Sequence, residues 1–217
     1  MNKEFHQLAP VLALEQMPES FQAFFIADGF TAEDLKTGAD LPDLVDKDNI
    51  TQDAEIHHAH SYKLQEVAGQ LKWTDGDVLE RLKGLCADAH DFKAEKNAAM
   101  VRYCLAKMTH YRVDALTYPH LFHGRPWSIY HHKFEADLGK FLVRNHANIG
   151  QLVFSAYKDI YKDCRKTAVE AWYVGRDVVA VFEKGEKLSD DQMLAICRTC
   201  IQGIGDLWTT LKQEMKL

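Results

Sequence analysis

The spacing of apolar and polar residues along the chain is that of helices rather than strands. In residues 150–183 the apolar side chains recur at the period of one helix face, at Leu152, Val153, Ala156, Tyr157, Ile160, Tyr161 and Cys164. All five prolines precede position 127, so the rest of the chain favours long helices. The pattern predicts helices near residues 3–16, 19–27, 51–70, 75–90, 93–113, 126–146, 150–183 and 189–214. We therefore expect an all-α fold.

Capping and turn residues set the expected ends of these helices. Ser189 is a natural N-cap for the last helix, with two aspartates after it in the first turn. Gly185 fits the end of the preceding helix. Residues 28–50 and 114–126 are rich in polar and turn-forming residues, which indicates the main loops. No turn signal is flanked by alternating apolar residues, so we expect no β-hairpin.

Length, charge and apolar content narrow the class of protein. With 217 residues, 47% of them hydrophobic, we predict a single compact domain over residues 1–217. The net charge of −6 argues against a basic nucleic-acid-binding surface. The apolar stretches are too short to span a bilayer, and the N-terminal segment lacks a signal-peptide pattern. We therefore expect a cytoplasmic protein without a transmembrane segment.

The five cysteines predict reduced, buried thiols rather than disulfides. Their number is odd, and no secretion signal accompanies them. Cys197 and Cys200 form a C-x-x-C pair, a spacing that also occurs in redox and metal sites. The pair lies in a strongly helical stretch without a second C-x-x-C, which favours ordinary core thiols.

Histidines concentrate in the middle of the chain and pair with carboxylates at helical spacing. Of eleven, ten lie in the first 132 residues and none follows His146. His110 and Asp114 are four apart, as are His131 and Glu135, so each pair shares a helix face. His120 follows Asp114 by six residues, beyond a proline-containing turn. Imidazole and carboxylate together suit zinc, so two such pairs favour a metal site over unrelated surface or core pairs.

Further candidate ligands lie upstream of these pairs. His57, His58 and His60 form a cluster, of which at most one or two can serve one site. The sequence leaves open which of the three is a ligand. Asp43 follows a proline in a predicted loop, where a carboxylate either turns inward or only caps a turn.

The order of these residues resembles that of the zinc-dependent phospholipase C family, which is related to zinc-dependent single-strand nucleases. That family has a His-x-x-x-Asp, a histidine six residues later and then a His-x-x-x-Glu. An earlier aspartate precedes a histidine by fourteen or fifteen residues, and another histidine lies near the N-terminus. The matching positions are His6, Asp43, His57 or His58, His110, Asp114, His120, His131 and Glu135. The resemblance implies an all-helical domain of the zinc-dependent phospholipase C type.

The resemblance also implies a cluster of two or three zinc ions that hydrolyses phosphate esters. One ion would be held by Asp43, His57, His110 and Asp114, with Asp114 bridging. A second would be held by His120, His131 and Glu135, and a third by His6 with Asp114. Asp43 doubles as the candidate general base.

Substrate and activity are left open by the sequence. A phospholipid, a nucleotide and a small phosphoester all fit the resemblance, and the oligomeric state is undetermined. In a second, different class of function the ligands would only stabilise the fold, as in a non-catalytic metal-stabilised binding protein. A third candidate, a phosphohydrolase with adjacent His-Asp ligands, is disfavoured because His90-Asp91 lacks further ligands beside it.

Overall fold

The computed structural model describes residues 4–49, 59–122 and 131–217 of the chain. Within these ranges the chain is all-α apart from one two-stranded antiparallel sheet, which confirms the expected fold class. Two short 3-10 turns lie at Ala27–Gly29 and His146–Ile149. The helices are α1 Glu4–Glu15, α2 Glu19–Phe25, α3 Ala32–Asn49, α4 Val78–Ala94, α5 Ala98–Asp114, α6 Tyr118–Leu121, α7 His131–Asn145, α8 Ile160–Glu183 and α9 Asp190–Met215; the strands are β1 Lys63–Val67 and β2 Gln70–Asp75.

The core is built around α5 and α9. Trp208 of α9 is fully buried against Phe21 and Phe25 of α2, and its indole N–H donates to the carbonyl of Leu105 at 3.1 Å. The second half of α5 is buried on every side, so this helix holds polar side chains away from solvent on opposite faces. As predicted, Ser189 caps α9, in a reciprocal capping box with Gln192.

Helix α3 occupies most of the segment 28–50, where we expected a loop. Its start carries a capping signal: the Thr31 hydroxyl accepts from the Asp34 N–H, and the Asp34 carboxylate accepts from the Thr31 N–H. Leu35 and Ala39, four residues apart, bury one face of the helix. The expectation was wrong because the polar composition and Pro42 obscured a helix that packing stabilises.

A β-hairpin over residues 63–75 corrects two further expectations, the absence of a hairpin and a helix over 51–70. The strands pair antiparallel through Val67 and Gln70, and the turn residues Ala68 and Gly69 both have positive φ. Outside its first two residues β1 is exposed, so the hairpin has no alternating apolar pattern. The part of the predicted helix over 51–58 lies outside the described residues.

The segment before α8 is extended rather than helical, which corrects the expected start at residue 150. Gly150 adopts a positive φ, and α8 begins at Ile160 after its N-cap, Asp159. Side chains of α9 satisfy the backbone of this segment: Asp206 accepts from the Ser155 N–H, and the Thr210 hydroxyl accepts from the Tyr157 N–H. These contacts replace the hydrogen bonds of a helix.

All five cysteines are free and buried, as expected. Burial raises the pKa of the Cys197 thiol to about 12 and that of Cys200 well above its ordinary value. Both are therefore thiols and not thiolates at neutral pH. Across the ranges that the structure describes, no helix has the length and apolarity needed to cross a bilayer.

Candidate metal centre

Asp114, at the end of α5, is the most connected side chain of a buried polar cluster. Its carboxylate is fully buried. One oxygen accepts from His60 Nδ1 at 2.8 Å and lies 3.4 Å from His110 Nε2. The other lies 3.4 Å from His120 Nε2 and 3.7 Å from His6 Nε2. Four imidazoles from separate segments thus surround one carboxylate.

Glu135, one turn into α7, forms a second centre of the same cluster. A single oxygen, Oε1, lies 2.8 Å from His131 Nε2, 3.3 Å from His6 Nε2 and 3.4 Å from His120 Nε2. The predicted i, i+4 relation between His131 and Glu135 is therefore present, and it turns both side chains to one face of α7.

Asp43 of α3 completes the cluster at its edge. One carboxylate oxygen lies 3.5 Å from His110 Nε2, and the side chain remains 22% exposed. It is the most accessible of the clustered carboxylates, since Asp114 and Glu135 are buried. Solvent or a substrate can therefore approach the cluster from the side of Asp43.

Three groups of side chains each bring three ligand atoms within 4.8 Å of one another. Such spacing is compatible with a shared cation, whose ligands lie about 2 Å from the ion. The groups consist of His6, His110 and Asp114; of Asp43, His60 and His110; and of His120, His131 and Glu135. The first two share His110, and the third is separate from them.

Backbone carbonyls orient two of the histidines. His110 Nδ1 donates to the Ala39 carbonyl at 2.8 Å, and His120 Nδ1 donates to the His60 carbonyl at 2.6 Å. A carbonyl can only accept, so each Nδ1 carries a proton and Nε2 of the neutral ring carries a lone pair. Both Nε2 atoms face the carboxylates. This arrangement is usual for metal-bound histidines, whose second nitrogen is fixed by an outer partner.

The loop that holds His60 is tied to the turn that holds His120. The Tyr62 N–H donates to the His120 carbonyl at 2.9 Å, and Lys63 Nζ donates to the Pro119 carbonyl at 2.8 Å. Burial lowers the pKa of Lys63 to about 7. These bonds fix the two segments against each other, so the two histidines keep their relative position.

Burial and the nearby histidines shift the pKa values of the three carboxyl groups in opposite directions. Burial favours the neutral carboxyl, but His120 and His110 outweigh it and lower the pKa of Asp114 to about 2. The surrounding histidines likewise hold the pKa of Glu135 well below its ordinary value, against the effect of burial. For Asp43, His110 overcomes burial and lowers the pKa. The three carboxylates are therefore ionised at neutral pH.

His120 and His6 show that the cluster suits a cation. Burial lowers the pKa of His120 to about 4 despite the nearby Asp114, so its ring is neutral at neutral pH. Its Nε2 lone pair then faces two anionic oxygens at 3.4 Å, a repulsive contact that a bound cation would convert into ligation. At His6 burial is outweighed by the Glu135 hydrogen bond, and the pKa rises to about 9. At His6 a bound proton therefore supplies the positive charge that faces Glu135. The donor set of imidazoles and carboxylates is one that zinc accepts.

The structure brings together seven of the eight residues predicted as ligands: His6, Asp43, His110, Asp114, His120, His131 and Glu135. The eighth, His57, and its alternative His58 lie outside the described residues. His60, the third member of that histidine run, is buried beside Asp114. The sequence placed His60 among the candidates without selecting it, because its spacing from Asp43 differs from the family pattern.

Comparisons with known proteins bear on the fold. No protein-family model matches the sequence, and no curated protein matches it by sequence. Among solved structures, the chain is similar to the crystal structure of Clostridium perfringens alpha-toxin from the avian strain SWCP, with 16% identity and a TM-score of 0.56. The alignment covers 94% of this chain and 60% of that one, so this chain spans less than two thirds of the toxin's length. The likeness shows an all-α, phospholipase C-like fold.

Proposed function

We propose that this protein is a zinc-dependent hydrolase of phosphate esters. The proposal rests on one observation: histidine and carboxylate side chains from six segments converge on one buried cluster. Within it, backbone carbonyls orient His110 and His120. The phospholipase C-like fold supports the same chemistry. A lipid or small-molecule phosphoester fits better than a nucleic acid, since the chain has a net charge of −6.

The clustered side chains would hold two or three zinc ions. Asp43, His60 and His110 would hold one together with Asp114, and the sequence-predicted His57 remains a candidate for the same ion. A second would bind His120, His131 and Glu135, and a third would bind His6 and Asp114. When bound, zinc lowers the pKa of a coordinated water towards about 7 and neutralises charge on phosphoryl oxygens.

Asp43 is the residue best placed to move a proton. It is ionised, it remains 22% exposed, and it lies at the accessible edge of the cluster. A carboxylate in this position can accept a proton from a water molecule that attacks phosphorus. Asp114 and Glu135 are buried among imidazoles, which commits their oxygens to binding and orientation.

The test pairs metal analysis with hydrolysis of a chromogenic phosphodiester, with and without a chelator. We expect zinc in the purified protein, activity that chelation abolishes, and recovery on adding zinc. Asp43→Asn should lower kcat by about 10²–10⁴-fold, the usual contribution of a general base, while at least one ion remains bound. Asp191→Asn, a change of the same kind at the exposed start of α9, should leave activity unchanged. Equal activity of the metal-free and zinc-loaded proteins would overturn the proposal.

A second candidate function is metal binding without catalysis. The burial of His110, Asp114 and His120 favours it, because structural metal sites are closed to solvent. It would be supported by tightly held zinc in a protein that hydrolyses neither phospholipid nor the chromogenic diester. The two candidates differ in whether an ion keeps an open position for water.

A further inference from the structure

A cavity of about 480 Å³ lies apart from the metal centre, on the other face of α5. Its walls come from the helices α5 to α9 and the extended segment before α8, and none of the clustered ligands lines it. Most of the lining is apolar, including Leu116, Leu152, Val178 and Ile196. Exposed residues such as Val174 and Thr199 mark its opening to solvent. The volume is within the range of about 300–1,000 Å³ typical of small-molecule sites.

Arg112 forms the charged part of the cavity wall. The side chain is fully buried, and it hydrogen-bonds only neutral oxygens: the Gly203 carbonyl at 3.3 Å, and the hydroxyls of Tyr157 and Thr167, both at 2.7 Å. Within the described residues, Nη1 has no hydrogen-bond partner and no carboxylate lies within 4.0 Å of the guanidinium. A buried charge without a close ion-pair partner is costly, so a bound anion at Arg112 would be stabilised.

Gly203 makes room for this guanidinium. A Cβ at position 203 would lie 3.1 Å from both Nε and Nη2 of Arg112 and 2.5 Å from Leu116 Cδ1. Any larger residue would therefore push the arginine or the cavity wall aside. The absence of a side chain at position 203 therefore leaves the space that the buried Arg112 occupies.

Tyr157 supplies a second donor beside Arg112. Its hydroxyl accepts from Arg112 Nη2, and among the residues that the structure describes nothing accepts the phenolic proton. Burial raises the pKa of Tyr157 to about 12, so the proton stays in place at neutral pH. Thr167 differs, because its hydroxyl already donates to the carbonyls of Asp163 and Cys164.

The other charged residues around the cavity form no ion pair with Arg112 among the described residues. Asp206 accepts from the Ser155 N–H and from the Gln202 amide. Glu170 is exposed, and the Arg198 guanidinium donates to the Ile149 carbonyl. Asp206 therefore acts on Arg112 only from beyond ion-pair distance, and Arg112 keeps a positive charge without a directly paired carboxylate next to an apolar space.

We propose that this cavity binds the carboxylate of a fatty acid, with the head at the Arg112 guanidinium and Tyr157 Oη and the alkyl chain along the apolar wall. One positive charge and two donors match a monoanionic head with two oxygens. A phosphate dianion would need more charge and more donors than this end of the cavity offers. The apolar lining suits an alkyl chain, and the site does not involve the proposed zinc ions.

The test is calorimetric titration of the 217-residue protein with decanoate, in a chelator so that zinc cannot capture the carboxylate. Three ligands share its ten-carbon chain and differ at the head: 1-decanol, decyl phosphate and decyltrimethylammonium. We expect decanoate to bind about tenfold or more tightly than decanol, since a hydrogen bond to a charged group has that effect. Tyr157→Phe, which retains the ring, should remove much of this preference. Ala171→Leu, which narrows the cavity, should weaken the binding of both decanoate and 1-decanol.

Several outcomes would overturn the proposal. Equal affinity for decanoate and decanol would mean that Arg112 does not recognise the head. Tighter binding of decyl phosphate would exclude the carboxylate as the preferred head, and no binding of decanoate would exclude the site. Decanoate binding that appears only when zinc is restored would place the ligand at the metal centre. Circular dichroism of Tyr157→Phe and Ala171→Leu verifies that each variant is folded.

Discussion

At the scale of single residues, Asp114 is the side chain on which the cluster depends most. Its two oxygens contact different imidazoles, His60 and His110 on one side and His120 and His6 on the other. Asp114→Asn retains the shape but removes the charge and one acceptor oxygen. We expect loss of more than one zinc ion per chain, measured by elemental analysis after gel filtration, with Asp191→Asn as the control. Loss of one ion with the others retained would show that Asp114 does not bridge.

His6 makes the stability of the metal-free protein depend on pH in a defined direction. Its pKa is raised from 6.5 to about 9, so the folded state holds this proton more tightly than the unfolded state. The stabilisation is therefore complete below pH 6.5 and is lost as the pH rises through about 9. It amounts to about 3 kcal/mol from the size of the shift.

Urea unfolding of the chelated protein and of His6→Gln, from about pH 6 to pH 10, measures this effect. The difference in free energy of unfolding between them should be largest at the acidic end and shrink towards the alkaline end. Asn148→Gln, a change between non-titrating side chains at an exposed position, should show no such trend. A difference that stays constant with pH would mean that His6 is not the group responsible.

The sequence was most informative where both partners lie on one helix. The pairs His110–Asp114 and His131–Glu135 follow from helical periodicity alone, and both are observed. His60 could not be selected in this way, because its position beside Asp114 depends on a hairpin and on a hydrogen bond to His120 across 60 residues. Spacing along the chain does not determine which of three neighbouring histidines such a loop turns inward.

At the scale of elements, the crossing of α3 and α5 positions Asp43 and the Ala39 carbonyl against His110. A Cβ at Gly38 would lie 2.6 Å from Ala106 Cβ, whereas a Cβ at Gly84 on α4 would meet nothing within 4 Å. Gly38→Ala should therefore destabilise the protein by about 1–3 kcal/mol and weaken zinc binding, because it forces the two helices apart.

Gly84→Ala is the matched control for this change, since both glycines lie inside helices. It should stabilise the protein by about 0.5–1 kcal/mol through helix propensity alone. Thermal unfolding and zinc titration of the two variants give the comparison. If Gly38→Ala were as stable as Gly84→Ala, the close approach of α3 to α5 would not be required.

The elements that the sequence failed to predict are those whose stability comes from contacts distant in the chain. Helix α3 has a polar sequence and an internal proline. Leu35 and Ala39 can be recognised as its buried face only when α5 is seen to pack beside them. The hairpin is mostly exposed, so neither face shows the alternation by which strands are recognised. The long helix α9, with its cap and apolar stripe, was predicted because both signals are local.

The hairpin turn offers a test of its geometry. Ala68 has a φ of 52°, a left-handed conformation that favours asparagine or glycine over alanine. Ala68→Asn should stabilise the protein by about 0.5–1 kcal/mol, and Ala68→Val should destabilise it, since a β-branched side chain resists positive φ. Urea denaturation of the two variants measures the difference. The reverse order of stability would contradict a two-residue turn at Ala68 and Gly69.

At the scale of the whole molecule, the cluster joins segments that are distant along the chain. It draws on α1, α3, the loop before β1, α5, α6 and α7, and it brings together two buried ionised carboxylates and a third, Asp43, at the edge. Without cations these carboxylates repel one another, and only protonated histidines reduce that repulsion. Zinc binding should therefore stabilise the entire fold and not one local element.

We accordingly expect the chelated protein to unfold at a lower temperature than the zinc-loaded protein. One site at a free zinc concentration of 100 times its Kd contributes about 2.7 kcal/mol, which raises the Tm of a chain of this size by roughly 5–10 °C. Differential scanning calorimetry across a series of zinc concentrations should show Tm rising with the logarithm of free zinc, while magnesium, which prefers oxygen ligands, should have little effect. In Asp114→Asn the zinc-dependent rise should be much smaller. A Tm that is the same with chelator and with excess zinc would mean that these side chains hold no ion in the folded state, and the proposed hydrolase would lose its basis.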